Sequence, residues 1–173
     1  MSLGTLTAFG RRYAQAWCDR DPQRVASFYA ERGSRIVNGS APAVGREAIA
    51  EDARSFMADF PDMHVSMKGL TREARGTVFH WSLMGTNTGP GGKGHRVRID
   101  GYEVWKLDGD DQIAESKGHF DAAEYAFQLE RGYDAPRHET DDPPAPVAPG
   151  SRSRSSLVSN RRGRPSGGAK AGS

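Results

Sequence analysis

An α+β fold is predicted for residues 1–133 by two observations. Apolar residues recur at helical spacing through the first third of the chain, and from Asp62 onward the period drops to two. A third observation, the loss of all periodicity beyond Asp134, sets residues 134–173 apart as a disordered tail rich in Pro, Ser, Arg and Gly.

Leu6, Phe9, Tyr13 and Trp17 follow one another at steps of three and four, which places them on one face of a helix over roughly residues 3–18. Asp21 followed by Pro22 supplies an N-cap and a proline at the first helical position, so a short second helix is expected to run on through Tyr29 until Gly33. Gly45 opens a third helix in which Ile49, Ala53, Phe56, Met57 and Phe60 align before Pro61 ends it. Ile36 and Val37 suggest a short strand between the second and third helices. Met63, Val65 and Met67 then alternate with His64, Ser66 and Lys68 as a half-buried strand does. Further strands are expected near 76–86, 96–107 and 112–120. The last two are joined by Asp108-Gly109-Asp110-Asp111, short enough for an antiparallel hairpin. Ala122, Tyr125, Ala126 and Leu129 return to helical spacing and stop at Gly132. Helices first and antiparallel strands afterwards describe a curved sheet that cups three N-terminal helices and encloses an apolar cavity.

At 173 residues the chain holds one ordinary domain. No stretch approaches the apolar length of a membrane span, and the first residues lack the pattern of a signal peptide, so a cytoplasmic protein with no membrane partner is expected. The net charge of +2 is uneven: residues 151–173 carry six Lys or Arg and no acid, which leaves 18 basic against 22 acidic residues before them, a net −4. Arg161-Arg162-Gly163-Arg164-Pro165 resembles the core of an AT-hook, whose extended Arg-Gly-Arg lies in a narrow minor groove. It is a single copy with Arg161 in place of the usual leading proline, so the tail reads first as solvated charge and only second as a contact for nucleic acid. Cys18 is the single cysteine, which rules out an intrachain disulfide, and it reads as a packed helix position.

Lys117, His119 and Asp121 stand at i, i+2 and i+4 at the end of the last strand, so all three share a face, and if that face is concave they meet in the cavity. A carboxylate between apolar walls and a neighbouring cation is suited to general acid or base work. Asp121 also precedes the last helix and is equally placed to cap it. His80 and Trp81 lie on opposite faces of one strand, so only one of them faces the cavity. Tyr13, Trp17 and Tyr102 have aromatic bodies with polar tips that suit either a cavity lining or plain core. Arg98 and Asp100 form a same-face pair that reads as a solvated rim. The run from Gly85 to Gly94 has the glycines of a phosphate loop, but no Ser or Thr follows Lys93 and a strand comes next, so it reads as a hairpin loop over the cavity mouth. The five histidines show none of the spacings that bind a metal, and no metal or cofactor is expected.

Several segments together resemble the nuclear-transport-factor-like superfamily, in its SnoaL-like polyketide-cyclase and ester-cyclase branch. They are the opening helix with Tyr13 and Trp17, Gly45-Arg46-Glu47-Ala48-Ile49, Phe60-Pro61-Asp62, Gly85-Thr86-Asn87-Thr88-Gly89-Pro90, Gly101-Tyr102-Glu103-Val104-Trp105, Ile113-Ala114-Glu115, and Phe120-Asp121 followed by Gln128-Leu129. The resemblance spans about residues 4–132. It implies a cone-shaped domain, pairing as a homodimer through the outer face of the sheet with Trp105 or Trp81 there, and Asp121 as a general base that needs no cofactor. Asn87 and Lys117 depart from the family pattern, which often has His and Trp at those positions. On this basis the protein is expected to move a proton on a small apolar carbonyl compound in an isomerase, cyclase or lyase reaction. Asp121 would be the base, tuned by His119, and His80, Tyr102 or Tyr13 would donate to the developing enolate. The alternative is a non-catalytic ligand-binding or dimerisation module.

Overall fold

The computed structural model describes residues 1–137, and the N-terminal apolar stripe becomes helix α1, Leu3–Cys18. Leu6, Tyr13 and Ala16 are wholly buried on its inner face. Ser2 caps its start by accepting the Thr5 N–H at 3.1 Å. Asp21 does the same for α2, Pro22–Ser27, through the Arg24 N–H.

Helix α2 stops six residues before Gly33, because Tyr29 already begins strand β1, Tyr29–Val37. Gly33 is a strand residue at a close approach: a Cβ there would lie 2.7 Å from the Ile113 carbonyl oxygen, so the position excludes every side chain. The pairing slips beside it, between Tyr29 and Ser34. Strand β1 is therefore longer than Ile36 and Val37 suggested. A two-residue strand β2, Ala43–Val44, pairs with it and has no counterpart in the sequence reading, since two residues carry no period. Gly45, at φ 85°, turns the chain into α3, Arg46–Asp59. Arg46 anchors that start by donating from Nε to the Tyr29 carbonyl at 2.8 Å and from Nη2 to Gln112 at 3.2 Å.

The remaining strands are β3 (His64–Glu73), β4 (Gly76–Thr86), β5 (Arg96–Leu107) and β6 (Ile113–Phe120). They form one six-stranded curved sheet in the order β2-β1-β6-β5-β4-β3. Every neighbouring pair is antiparallel except β1 with β6. Helix α4, Ala122–Arg131, follows β6 directly and ends at Gly132, φ 89°. No helix among the described residues is long and apolar enough to cross a membrane. Residues 138–173, with the Arg161–Pro165 motif, lie outside the described part.

Strand phase decides which side chains meet the helices. Phe79, Trp81 and Leu83 of β4, with Val97, Ile99, Glu103 and Trp105 of β5, turn toward α1 and α3, and their neighbours turn away. Trp105 is fully buried, stacked on Phe79 at 4.7 Å with Tyr13 edge-on at 5.2 Å. Neither Trp105 nor Trp81 is on the outer face where the resemblance would put one of them. Their odd-numbered phase with Phe79 and Val97 carries both inward.

Gly101 pairs with Trp81 across β4 and β5, and a Cβ on it would come within 2.4 Å of the indole. The missing side chain lets the Trp81 ring lie across the neighbouring strand. Gly101→Ala is expected to push that ring aside and cost about 1–3 kcal/mol of stability. Urea denaturation followed by tryptophan fluorescence measures the loss.

Candidate functional site

Between α1, α3 and the inner face of the sheet lies a cavity of about 50 Å³. Its walls are apolar, with Val37, Phe56, Val65, Leu83 and Phe120 among them. Polar groups of the lining belong to Tyr13, Trp17, Arg35, Trp81 and Glu103.

Glu103 is the only carboxylate of the lining and is 5% exposed. Its Oε2 accepts from Trp105 Nε1 at 2.7 Å, Ser116 Oγ at 2.8 Å and Tyr13 Oη at 3.3 Å. Its Oε1 has one long contact, Tyr13 Oη at 3.4 Å. One oxygen is thus saturated and the other retains lone pairs. Tyr13 Oη also lies 3.0 Å from Tyr29 Oη, which extends the chain of hydroxyls to β1.

Arg35 comes from β1 and is 9% exposed. Its guanidinium pairs with Asp52 of α3 and lies over the rings of Trp17 at 5.2 Å and Phe56 at 5.8 Å. Burial works against its charge, but Tyr29, Tyr13, Glu103 and Asp52 around it more than offset that and raise its pKa, so the group stays a cation. Arg35 Nε and Trp81 Nε1 are buried and have no hydrogen-bond partner among the described residues.

Burial, and after it the charge of Glu103, push the Tyr13 phenol well above its ordinary value of 10.0, and Tyr29 is raised for the same reasons. The folded state therefore holds protons that the unfolded chain releases near that pH. The resulting stability is complete below pH 10.0 and falls as pH rises beyond it. Denaturation midpoints should drop progressively as pH rises above about 10, and Tyr29→Phe should remove part of that drop. A profile unchanged by the substitution would contradict the assignment.

The residues expected to form the site are divided between two faces. Tyr13 and Trp17 line the cavity. His80, Tyr102 and His119 also come together, as directly opposed partners across β4, β5 and β6, with Tyr102 and His119 stacked at 4.9 Å. That row, and Lys117 two residues along, lies on the sheet face turned away from the helices. The reason is phase: Ser116, Gly118 and Phe120 take the inward positions of β6, which leaves Lys117 and His119 outside. Lys117 pairs with Glu115 at 3.3 Å, and Arg75 sits over Tyr102 at 5.3 Å. Of the His80 and Trp81 pair, Trp81 faces the cavity. Asp121 is exposed and accepts the Glu124 N–H at 2.9 Å as the N-cap of α4. Arg98 and Asp100 are exposed on the outer face.

Sequence reading passed over Glu103, Arg35 and Tyr29. For Glu103 a signal existed: in β5 it is the one charged residue in phase with Val97, Ile99 and Trp105. Arg35 had no such mark, because β1 is bent by Gly33 and its period is broken. Among the described residues no cluster of three His, Cys, Asp or Glu side chains is placed to hold a metal ion.

The model of the SnoaL-like polyketide cyclase family matches residues 7–129. The chain belongs to that family. No curated protein sequence matches it. Among solved structures, this family member resembles a hypothetical protein with a ketosteroid isomerase-like fold from Catenulispora acidiphila, solved in complex with trimethylamine. That pair has a TM-score of 0.62 at 16% identity, over 75% of this chain and 95% of the other. It also resembles the epoxide hydrolase/cyclase-like enzyme SalBIII of pyran ring formation in salinomycin, with a TM-score of 0.61 at 14% identity, over 70% and 94%. A third likeness is to an NTF2-like protein of unknown function from Exiguobacterium sp. 255-15, at 0.56 and 19%, over 64% and 96%. At such identities the likeness is one of fold.

Proposed function

We propose that this SnoaL-like protein binds a small, largely apolar carbonyl compound in the cavity and moves a proton on it, in a reaction of the isomerase or cyclase type. The observation that carries the reading is Glu103: a buried carboxylate facing an apolar cavity, with Oε2 held by three donors and Oε1 left with free lone pairs. The donors fix the carboxylate's orientation, so little reorganisation is needed when it acts. Glu103 Oε1 takes the proton from the carbon next to the carbonyl. The C–H electron pair becomes the C=C bond of an enolate, and the former C=O pair moves onto the oxygen. Return of the proton to another carbon gives the isomer; attack of the enolate carbon on a second carbonyl closes a ring, the C=O pair moves onto that oxygen, and the resulting alkoxide takes the proton back from Glu103. Glu103 ends as it began, so a carboxylate and hydrogen-bond donors are sufficient for the chemistry.

The family resemblance points instead to Asp121 as base, whereas its carboxylate serves the first turn of α4. The two assignments are separated by deuterium uptake from D2O into the α-carbons of acetone, butanone and cyclopentenone, followed by proton NMR. Glu103→Gln is expected to lower uptake about 100-fold or more, as loss of a general base does, while Asp121→Asn keeps a capping oxygen, leaves uptake in place and loses only the charge at the helix N-terminus, about 0.3–1 kcal/mol of stability. The opposite pattern would assign the base to Asp121.

The size of the cavity, about 50 Å³, favours a second reading, a ligand-binding or dimerisation module without turnover. Under it the wild-type protein catalyses no uptake into any of the three ketones.

A further inference from the structure

Two buried N–H groups of the cavity, Arg35 Nε and Trp81 Nε1, have no acceptor among the described residues. An orphaned buried donor costs about 1–3 kcal/mol, and native proteins keep few of them. Arg35 is nine-tenths buried, its guanidinium held between the Asp52 carboxylate and two aromatic rings, and it cannot turn away to find water. Trp81 is fixed by the bare backbone of Gly101 beneath its ring and by Phe120, edge-on at 6.1 Å. Both side chains line the same cavity, and the apolar residues around them supply no acceptor.

We infer that Arg35 Nε and Trp81 Nε1 are the recognition donors of the cavity, and that the group they receive is a neutral carbonyl oxygen carried by a ligand of a few heavy atoms, or by the small end of a larger one. The inference deepens the reading of the same cavity given above.

Charge decides between a neutral oxygen and an anion. Arg35 already faces the Asp52 carboxylate and has Glu103 close enough to act on it electrostatically. Two carboxylates thus stand against one guanidinium, and a carboxylate ligand would add a third negative charge to a poorly solvated space. A ketone or aldehyde oxygen accepts the same hydrogen bonds without that cost. If Glu103 takes a proton from such a ligand, negative charge leaves the Glu103 oxygen and appears on the enolate oxygen, with no change in the total. The two N–H donors then meet a full charge, and hydrogen bonds to charged groups are roughly twice as strong as those to neutral ones.

The cavity's small volume selects the probes: acetone, its hydrocarbon isostere isobutene, and acetate, each of four heavy atoms. The readout is the indole N–H resonance of Trp81 in nitrogen-correlated NMR of the full chain, identified by its loss in Trp81→Phe. Acetone should shift that resonance downfield and saturate, with isobutene leaving it in place and acetate binding at least tenfold more weakly. In Trp81→Phe a smaller aromatic ring remains and the donor goes, so acetone affinity, read from the Arg35 Nε–H resonance, should fall about tenfold, the equivalent of one hydrogen bond. Equal shifts from acetone and isobutene would overturn the inference, since packing alone would then explain them. So would tighter binding of acetate, which would make this an anion site, or no response to acetone. Acetone that binds at Trp81 without α-deuteration leaves the recognition site standing and removes the proton transfer. Deuteration without a Trp81 shift does the reverse.

Discussion

A carboxylate enclosed by aromatic rings has to be compensated on the spot, and the interior of this protein is arranged around that requirement at Glu103. Transfer of an unpaired charge into such surroundings costs several kcal/mol even after relaxation. The compensation is collected from three elements. Helix α1 sends Tyr13, β5 itself supplies Trp105, and β6 supplies Ser116. The cation comes from a fourth, since Arg35 of β1 acts on Glu103 through space. Each of these groups is at its place because of strand or helix phase, so the satisfaction of one carboxylate ties together the packing of α1 and the pairing of β1, β6 and β5.

That arrangement rests on β1 running parallel to β6 and slipping register between Tyr29 and Ser34. Arg35 reaches the interior only if the residues before it follow β6 closely, and Gly33 permits the approach by having no side chain to place against Ile113. Arg46, at the start of α3, then closes on the Tyr29 carbonyl, which brings α3 and Asp52 to the outer side of the guanidinium. The ion pair is partly exposed on its Asp52 side, so its contribution to stability is modest. Its larger effect is to hold the guanidinium plane on Trp17 and Phe56.

Much of the fold could be read from the sequence because the signals were local. Caps at Asp21 and Asp121, the stop at Gly132, and the alternation through β3 to β6 all lie within a few residues of the structure they specify. What escaped was non-local. The start of β1 is decided by its parallel partner some eighty residues away, and propensity at Phe28 and Tyr29 is compatible with either helix or strand. Phase was read correctly for Lys117 and His119, which do share a face. Which side of the sheet that face occupies depends on where α1 and α3 pack, and no residue of β6 carries that information. The segments that carried the family resemblance are intelligible as joints between elements. Asp62 accepts from Thr86 N and Oγ1 at 2.6 and 2.7 Å, and Gly85 leaves room for Phe60, so two distant segments are fastened as one corner.

The sheet therefore presents two different surfaces from the same strands. On the outer face His80, Tyr102 and His119 form a row, Tyr102 stacked on His119 and His80 tilted against Tyr102, flanked by Arg75 and Lys117, in which water can satisfy the polar tips. On the inner face water is largely excluded, and there a single hydrogen bond made or missed matters most. A given residue type thus has different meanings on the two sides: histidine and lysine outside are held by stacking and solvated pairing, whereas inside Glu103 and Tyr13 are held by each other with Trp105, Ser116 and Tyr29, and Arg35 by Asp52 and two aromatic rings. A polar group inside can be left unpaired only if something else completes it. Arg35 Nε and Trp81 Nε1 are the places where the interior is incomplete, and they border the one space in which Glu103 Oε1 also has capacity to spare. Donors without an acceptor and a carboxylate oxygen with open lone pairs are complementary deficits, and a carbonyl compound with an acidic C–H beside it fills both at once.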